Sequence, residues 1–367
     1  MTAAVTPVGL GKEKLDTPAL LVDLDVLQSN IARIAGACRA GGVAWRPHTK
    51  GIKVPAIAHM LLRAGAIGVT CAKLGEAEIM ASAGIDKILI ANQIVGEQKI
   101  ARLVNLRRHA DVMIAVDSAD NVRALGEAAG AAGVKLGVLI EVDIGIQRAG
   151  VPPLDGADSL AALITGHTNL ELRGVVGWEG HTTEIREPAE KVKAIASAVS
   201  LLVATAERLR AAGYPTTIVS CGGTGTYETT TGLKGVTEVQ AGGGIFSDVR
   251  YRTKMRVNHP YALTVMTTVT SRPSATRIVC DAGKKTMSGD AALPLPLGLD
   301  DVASVQLSAE HAALSLKAPN DRLKVGDRLE FAVGYSDTTV HLHDEIYGVR
   351  GGRVEIVWPV LGRGQLR

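Results

Sequence analysis

The sequence predicts an α/β protein in which a (β/α)8 barrel is followed by a smaller, mainly antiparallel β-domain. Three observations carry this. Eight short β-branched runs recur between residues 19 and 245, each continuously apolar, as parallel strands buried on both faces are. Alanine-rich segments with helical spacing lie between them. After about residue 255 the runs alternate more and are parted by Gly, Asp and Pro turns, the pattern of antiparallel strands. Eight strand–helix units indicate a closed barrel, with an open doubly wound sheet as the alternative, since a repeat does not show closure.

The barrel runs, in order, are VAWRP, AIGVTCA, KILIAN, DVMIAVD, KLGVLIEVD, ELRGVVGW, TTIVSC and GVTEVQAG. The clearest helix is AEKVKAIASAVSLLVATAERLRAAG, where Val192, Ile195, Val199, Leu202, Ala206 and Leu209 form one stripe and Gly213 supplies the stop. The later runs YALTVMTTVTSR, TRIVCDAG, DRLEFAV, EIYGV and RVEIVWPV build the β-domain. The expected division is a barrel over residues 18–255 and a β-domain over 1–17 plus 256–367.

Composition narrows the function. A net charge of +3 without a basic block argues against nucleic acid as partner. The four cysteines lie far apart without a CxxC pair, which favours reduced thiols over a disulfide framework. No signal-like h-region and no long apolar run occurs, so no membrane association and a cytoplasmic location are expected.

In a barrel, reactive groups belong where strands end. The first run ends in RPHTK, the sixth in WEGH, the seventh in SCGGTGTY and the eighth in QAGGG. SCGGTGTY, Ser220 to Tyr227, offers bare backbone N–H groups and threonine hydroxyls to a phosphate. QAGGG offers a second set, and the loops after the last two strands are the usual phosphate site. Tight turns alone would also use these glycines. Lys50 stands among Arg46, His48 and Lys53, and neighbouring cations make a lysine amine nucleophilic. A solvated surface lysine is the plainer alternative. A phosphate cradle with an activated lysine suggests pyridoxal 5'-phosphate (PLP) attached through Lys50.

The segments DTPALLVDLDVLQSNI, RPHTK, EVDIGIQRAGV, SCGGTGTY and EVQAGGGIFSD, with CDAGKKTMS and LSAEHAAL, together resemble the D-threonine aldolase and D-serine dehydratase family. These are PLP enzymes that share a barrel with alanine racemase. The resemblance implies that Lys50 carries the cofactor and that Arg148 faces its ring nitrogen. Ser220, Gly222, Gly223, Thr224, Gly225 and Thr226, with Gly243 and Gly244, correspond to its phosphate loops. Trp178 stands at a position usually held by tyrosine and either lines the cofactor or is a core indole. His311, in SAEHA, matches a retained histidine. A small amino-acid substrate and a homodimer are implied as well.

The chain also departs from the family. Family members hold a divalent metal through a histidine two residues before an aspartate or cysteine; here Asp337 keeps the second position while Tyr335 occupies the first. His341 and His343, at i and i+2, would share one face of a strand. With Asp337 and Asp344 they are candidates to rebuild a Zn, Mn or Mg site; two half-exposed strand histidines are the alternative. Ile52 replaces a family histidine. The resemblance therefore implies a PLP-dependent lyase on D-configured β-hydroxy amino acids, cleaving Cα–Cβ to give glycine and an aldehyde. Tyr335, His311 or His48 would assist in moving a proton. D-serine or D-3-hydroxyaspartate dehydration, racemisation or epimerisation, and a non-catalytic PLP carrier are the alternatives.

Overall fold

A computed structural model describes residues 7–367. Residues 1–6, assigned to the β-domain from sequence, lie outside the described residues. The chain divides into two compact units. Among the described residues, one holds 7–31, Gly51–Val54 and Gly243–Arg363; the other holds Ala32–Lys50, Pro55–Gly242 and Gly364–Arg367.

In the second unit all eight expected runs form strands: Ala44–Trp45, Val69–Cys71, Lys87–Ile90, Asp111–Val116, Leu136–Glu141, Leu170–Val176, Ile218–Cys221 and Glu238–Val239. They pair in parallel in sequence order, and the last pairs with the first. The ring closes between the first and second strands. Ile67 N–H donates to Trp45 O at 2.8 Å, Thr70 N–H to Pro47 O at 2.9 Å, and Thr49 N–H to Thr70 O at 2.7 Å. The sheet is thus a closed barrel and not an open one. Its strands are mostly buried, Leu136–Glu141 throughout, which explains their largely apolar character.

Helices pack outside the strands. Pro188–Ala211 begins with Glu187, whose side chain accepts from Glu190 N–H, and with Pro188 in the first turn. Ile195, Val199, Leu202, Ala206 and Leu209 are buried as the stripe requires. Val192 is not: at the first turn of the helix it is 50% exposed. Gly213, at φ 85°, ends the segment.

The first unit is a nine-stranded, mainly antiparallel sheet. The strand Ala19–Asp23 corrects the expected boundary at residue 18. It pairs antiparallel with Leu263–Ser274 and parallel with Glu345–Arg350, so it belongs to this sheet. Its ALLV core is as apolar as any barrel strand, because it too is buried on both faces. The strands Val302–Leu307 and Ala312–Leu316 extend the sheet at one edge. Among the described residues no helix is long and apolar enough to cross a membrane. Cys38, Cys71, Cys221 and Cys280 are all buried and unpaired with one another.

Candidate active site

Beyond the first barrel strand the chain bridges Thr70 at His48, and Lys50 enters a turn. Thr49 is fully buried; its hydroxyl donates to Glu76 Oε1 at 2.7 Å, and Glu76 Oε2 accepts Ala72 N–H at 3.0 Å. Arg46, His48 and Lys50 differ in exposure. Arg46 is buried and bound by Glu238 through Nε and Nη2, at 3.0 and 3.0 Å to its nearest oxygens. Its charge is therefore compensated within the barrel, and Arg46 is not the activating cation that its spacing from Lys50 suggested. Lys53 is buried and belongs to the other unit. His48 is half-buried and its Nδ1 accepts Lys50 N–H at 3.4 Å. Lys50 is exposed at the strand end.

Gly242, after the last strand, lies flat on this segment: a Cβ there would fall 2.0 Å from His48 O. The next strand over, Ile218–Cys221, leads into the glycine–threonine loop. Ser220 is buried and its Oγ accepts from Gln240 Nε2 at 2.9 Å. Cys221 is pushed up by burial, then by Glu179 and Glu238, and stays a thiol. Gly222 needs its bare backbone at φ 74°. Trp178 is clamped between two glycines. A Cβ at Gly180 would lie 2.2 Å from its Nε1, and one at Gly223 would lie 2.4 Å from its Cη2. The indole is half-buried and packs against the loop at Gly223.

Thr226 behaves differently from expectation. Its hydroxyl donates to Glu179 Oε1 at 2.7 Å and accepts Gly223 N–H at 3.0 Å. That proton is thus committed inside the loop. Glu179 is the residue the sequence reasoning passed over, although it stands in the quoted WEGH segment. At the end of the fifth strand, Glu141 is pushed up by burial, opposed first by a hydrogen bond from Gln93 and then by Arg148. Arg148, on an open loop, reaches Glu141 with 3.9 Å between Nη2 and Oε1.

Thr224 and Gly225 are buried in the glycine–threonine loop of the barrel unit, and the remaining predicted residues belong to the other unit. Gly243 and Gly244 open a short 3-10 turn, where Gly244 O accepts from His259 Nδ1 at 2.8 Å. His311 is exposed. Tyr335 packs edge-on to Tyr251, with ring centroids 5.8 Å apart, and lies under the Arg250 guanidinium at 4.8 Å. Its hydroxyl donates to Asp337 Oδ2 at 2.8 Å. Burial, then Asp337, push the phenol well above its ordinary range, so it is a proton donor and not a base. His341 and His343 are not on a strand: Ser336–Thr339 is helical and Val340–Leu342 continues it as 3-10. The strand period that would put both rings on one face is therefore absent. His341 Nδ1 lies 3.3 Å from Asp337 O, and His343 Nε2 donates to Thr286 O at 2.8 Å. Among the described residues no three His, Cys, Asp or Glu side chains are grouped to hold a metal ion.

The alanine racemase N-terminal domain matches residues 22–249, and a putative serine dehydratase domain matches 262–349. The chain belongs to the D-threonine aldolase and serine dehydratase family. It is 33% identical over 371 residues to 3-hydroxy-D-aspartate aldolase of Paracoccus denitrificans (strain Pd 1222), covering 97% of this chain and 94% of that one. It is 36% identical over 284 residues to D-threo-3-hydroxyaspartate dehydratase of Delftia sp. (strain HT23), covering 75% and 73%. The crystal structure of D-threonine aldolase from Filomicrobium marinum matches it with a TM-score of 0.95, at 34% identity over 99% of this chain and 100% of that one.

Proposed function

We propose that the chain is a PLP-dependent lyase that cleaves D-configured β-hydroxy amino acids between Cα and Cβ, giving glycine and an aldehyde. The observation that carries this is Lys50: an exposed primary amine at a barrel strand end, two strands from a glycine loop, in a chain whose relatives include D-hydroxy-amino-acid aldolases and a dehydratase. The residues present fit the cofactor. At the loop, Gly222 N–H is held by Glu179 and Gly223 N–H by Thr226, so a phosphate would be met by Thr224 and Gly225, with the Trp178 indole packed against Gly223. Lys50 would hold the aldehyde, the loop the phosphate, and Arg148 the ring nitrogen. Bound there, the cofactor supplies an electron sink for the charge left at Cα.

The chain's own groups do the rest. His48 lies beside Lys50, whose N–H makes a long 3.4 Å contact with its Nδ1, and is the imidazole we assign to take the β-hydroxyl proton. Tyr335, holding its proton toward Asp337, is not suited to that task. The divalent metal implied by the family does not fit the donors here. Tyr335 and Asp337 are bonded to each other, and His343 is tied to a carbonyl. Loss of hydroxide from Cβ without a Lewis acid is difficult, whereas carbon–carbon cleavage needs only deprotonation of the hydroxyl. This favours cleavage over dehydration.

The test is a screen of D-threonine and D-3-hydroxyaspartate, measuring aldehyde, ammonia and optical rotation. Aldehyde with glycine is expected, lost in Lys50→Ala. Ammonia without aldehyde would make the chain a dehydratase, and loss of rotation alone a racemase. A Lys50→Ala protein that still shows the visible absorbance of lysine-bound pyridoxal would overturn the cofactor assignment.

A further inference from the structure

Glu179 is fully buried, directly after Trp178 in the segment that follows the sixth barrel strand. Its carboxyl gathers donors from the loop 43 to 51 residues further on. Oε2 accepts Gly222 N–H at 3.2 Å. Oε1 accepts the hydroxyls of Thr226 at 2.7 Å and Thr230 at 3.0 Å. Through the Thr226 hydroxyl the support extends to Gly223 N–H. One side chain thus fixes the start of the loop, its end and the short helix Tyr227–Thr230 that follows.

The loop needs such a support. Gly222, Gly223 and Gly225 have no side chains with which to hold a shape, and glycine loses the most backbone freedom on ordering. A loop left to order on anion binding would charge that cost to the ligand. A buried carboxyl is also an expensive way to satisfy three donors that a neutral group or water would satisfy. Burial pushes Glu179 upward, opposed first by Thr226.

We propose that Glu179 is a positioning residue that pre-shapes Gly222–Thr226 for the phosphate of the cofactor. The inference rests on the PLP reading above and adds to it a residue that touches neither cofactor nor substrate. It acts through Thr226, which serves as a strut inside the loop.

The test compares two cofactors. Apo protein is titrated with PLP and with pyridoxal, which presents the same aldehyde to Lys50 but has no phosphate. Binding is followed by the visible absorbance of the lysine-bound form. In Glu179→Gln and Glu179→Ala the affinity for PLP should fall about 10- to 100-fold, the scale of a lost hydrogen-bond network to a charged group. The affinity for pyridoxal should stay near wild type. Thr230→Val, which removes one donor and leaves the carboxyl in place, should show the same split more weakly and keeps the test alive if the Glu179 variants do not fold. Equal loss for both compounds in Thr230→Val and in a folded Glu179 variant would mean general disruption and overturn the proposal, as would no loss for either. A wild-type chain that takes up neither compound would overturn the cofactor reading and the proposal with it.

Discussion

The Tyr335 hydroxyl donates to Asp337 Oδ2 at 2.8 Å, and Asp337 Oδ1 lies so close over Gly51 that a Cβ there would fall 2.1 Å from it. One carboxylate oxygen is bound by a phenol and the other is pressed to the backbone that immediately follows Lys50. The pair explains why Gly51 is glycine, and it leaves Asp337 poorly disposed toward a metal.

A prediction on metals follows. A divalent ion at this pair would need Tyr335 to give up a proton that burial and Asp337 hold in place. Purified protein should carry no stoichiometric Mn or Zn, and chelator should leave aldehyde release unchanged. Tyr335→His, which creates a His-x-Asp pair, should bind about one ion per chain, since imidazole and carboxylate suit these metals. Elemental analysis decides it. A tightly held ion in the wild type that disappears in Asp337→Asn would sink the idea.

Asp248 makes stability depend on pH. It is fully buried, caps Tyr251 N–H at 2.8 Å, and accepts both Ser336 N–H and its hydroxyl at 2.9 Å. Burial pushes its carboxyl from 3.8 up to about 7. Between those values the folded state keeps a proton that the unfolded chain has lost. The contribution is complete below about pH 4 and is lost as pH rises toward 7, by at most about 4 kcal/mol. Denaturant unfolding at a series of pH values should show this decline, and Asp248→Asn should flatten it. An unchanged slope in the variant would assign the decline to other groups.

Much of the fold was legible because burial on both faces writes continuous apolar runs, and every barrel strand carries one. The same signal misled at Ala19–Asp23: a strand buried in the other sheet has the same composition, and only its pairing with Met266 and Tyr347 tells the two apart. At the site, Lys50 and the glycine loop were visible because strand ends are short and chemically distinct. Arg46 was misjudged because its partner, Glu238, lies 192 residues away. Glu179 was missed for a similar reason, although a lone carboxylate at an apolar strand end was a usable signal. His341 and His343 looked paired only under a strand period, and the helical turn from Ser336 removes that period.

The contact between Trp178 and Gly223 gives the last prediction. A Cβ at residue 223 would lie 2.4 Å from Trp178 Cη2, so Gly223→Ala must displace either the indole or the loop. Overpacking of this kind costs about 1–3 kcal/mol, and PLP affinity should fall by roughly one to two orders of magnitude if the loop yields. Trp178→Ala removes the obstacle, so in that background Gly223→Ala should cost little further affinity. A double-mutant cycle on the dissociation constant measures this coupling. If Gly223→Ala costs as much in the Trp178→Ala background as in the wild type, the glycine is needed for close approach of the ligand to the backbone, and the indole is not what excludes a side chain there.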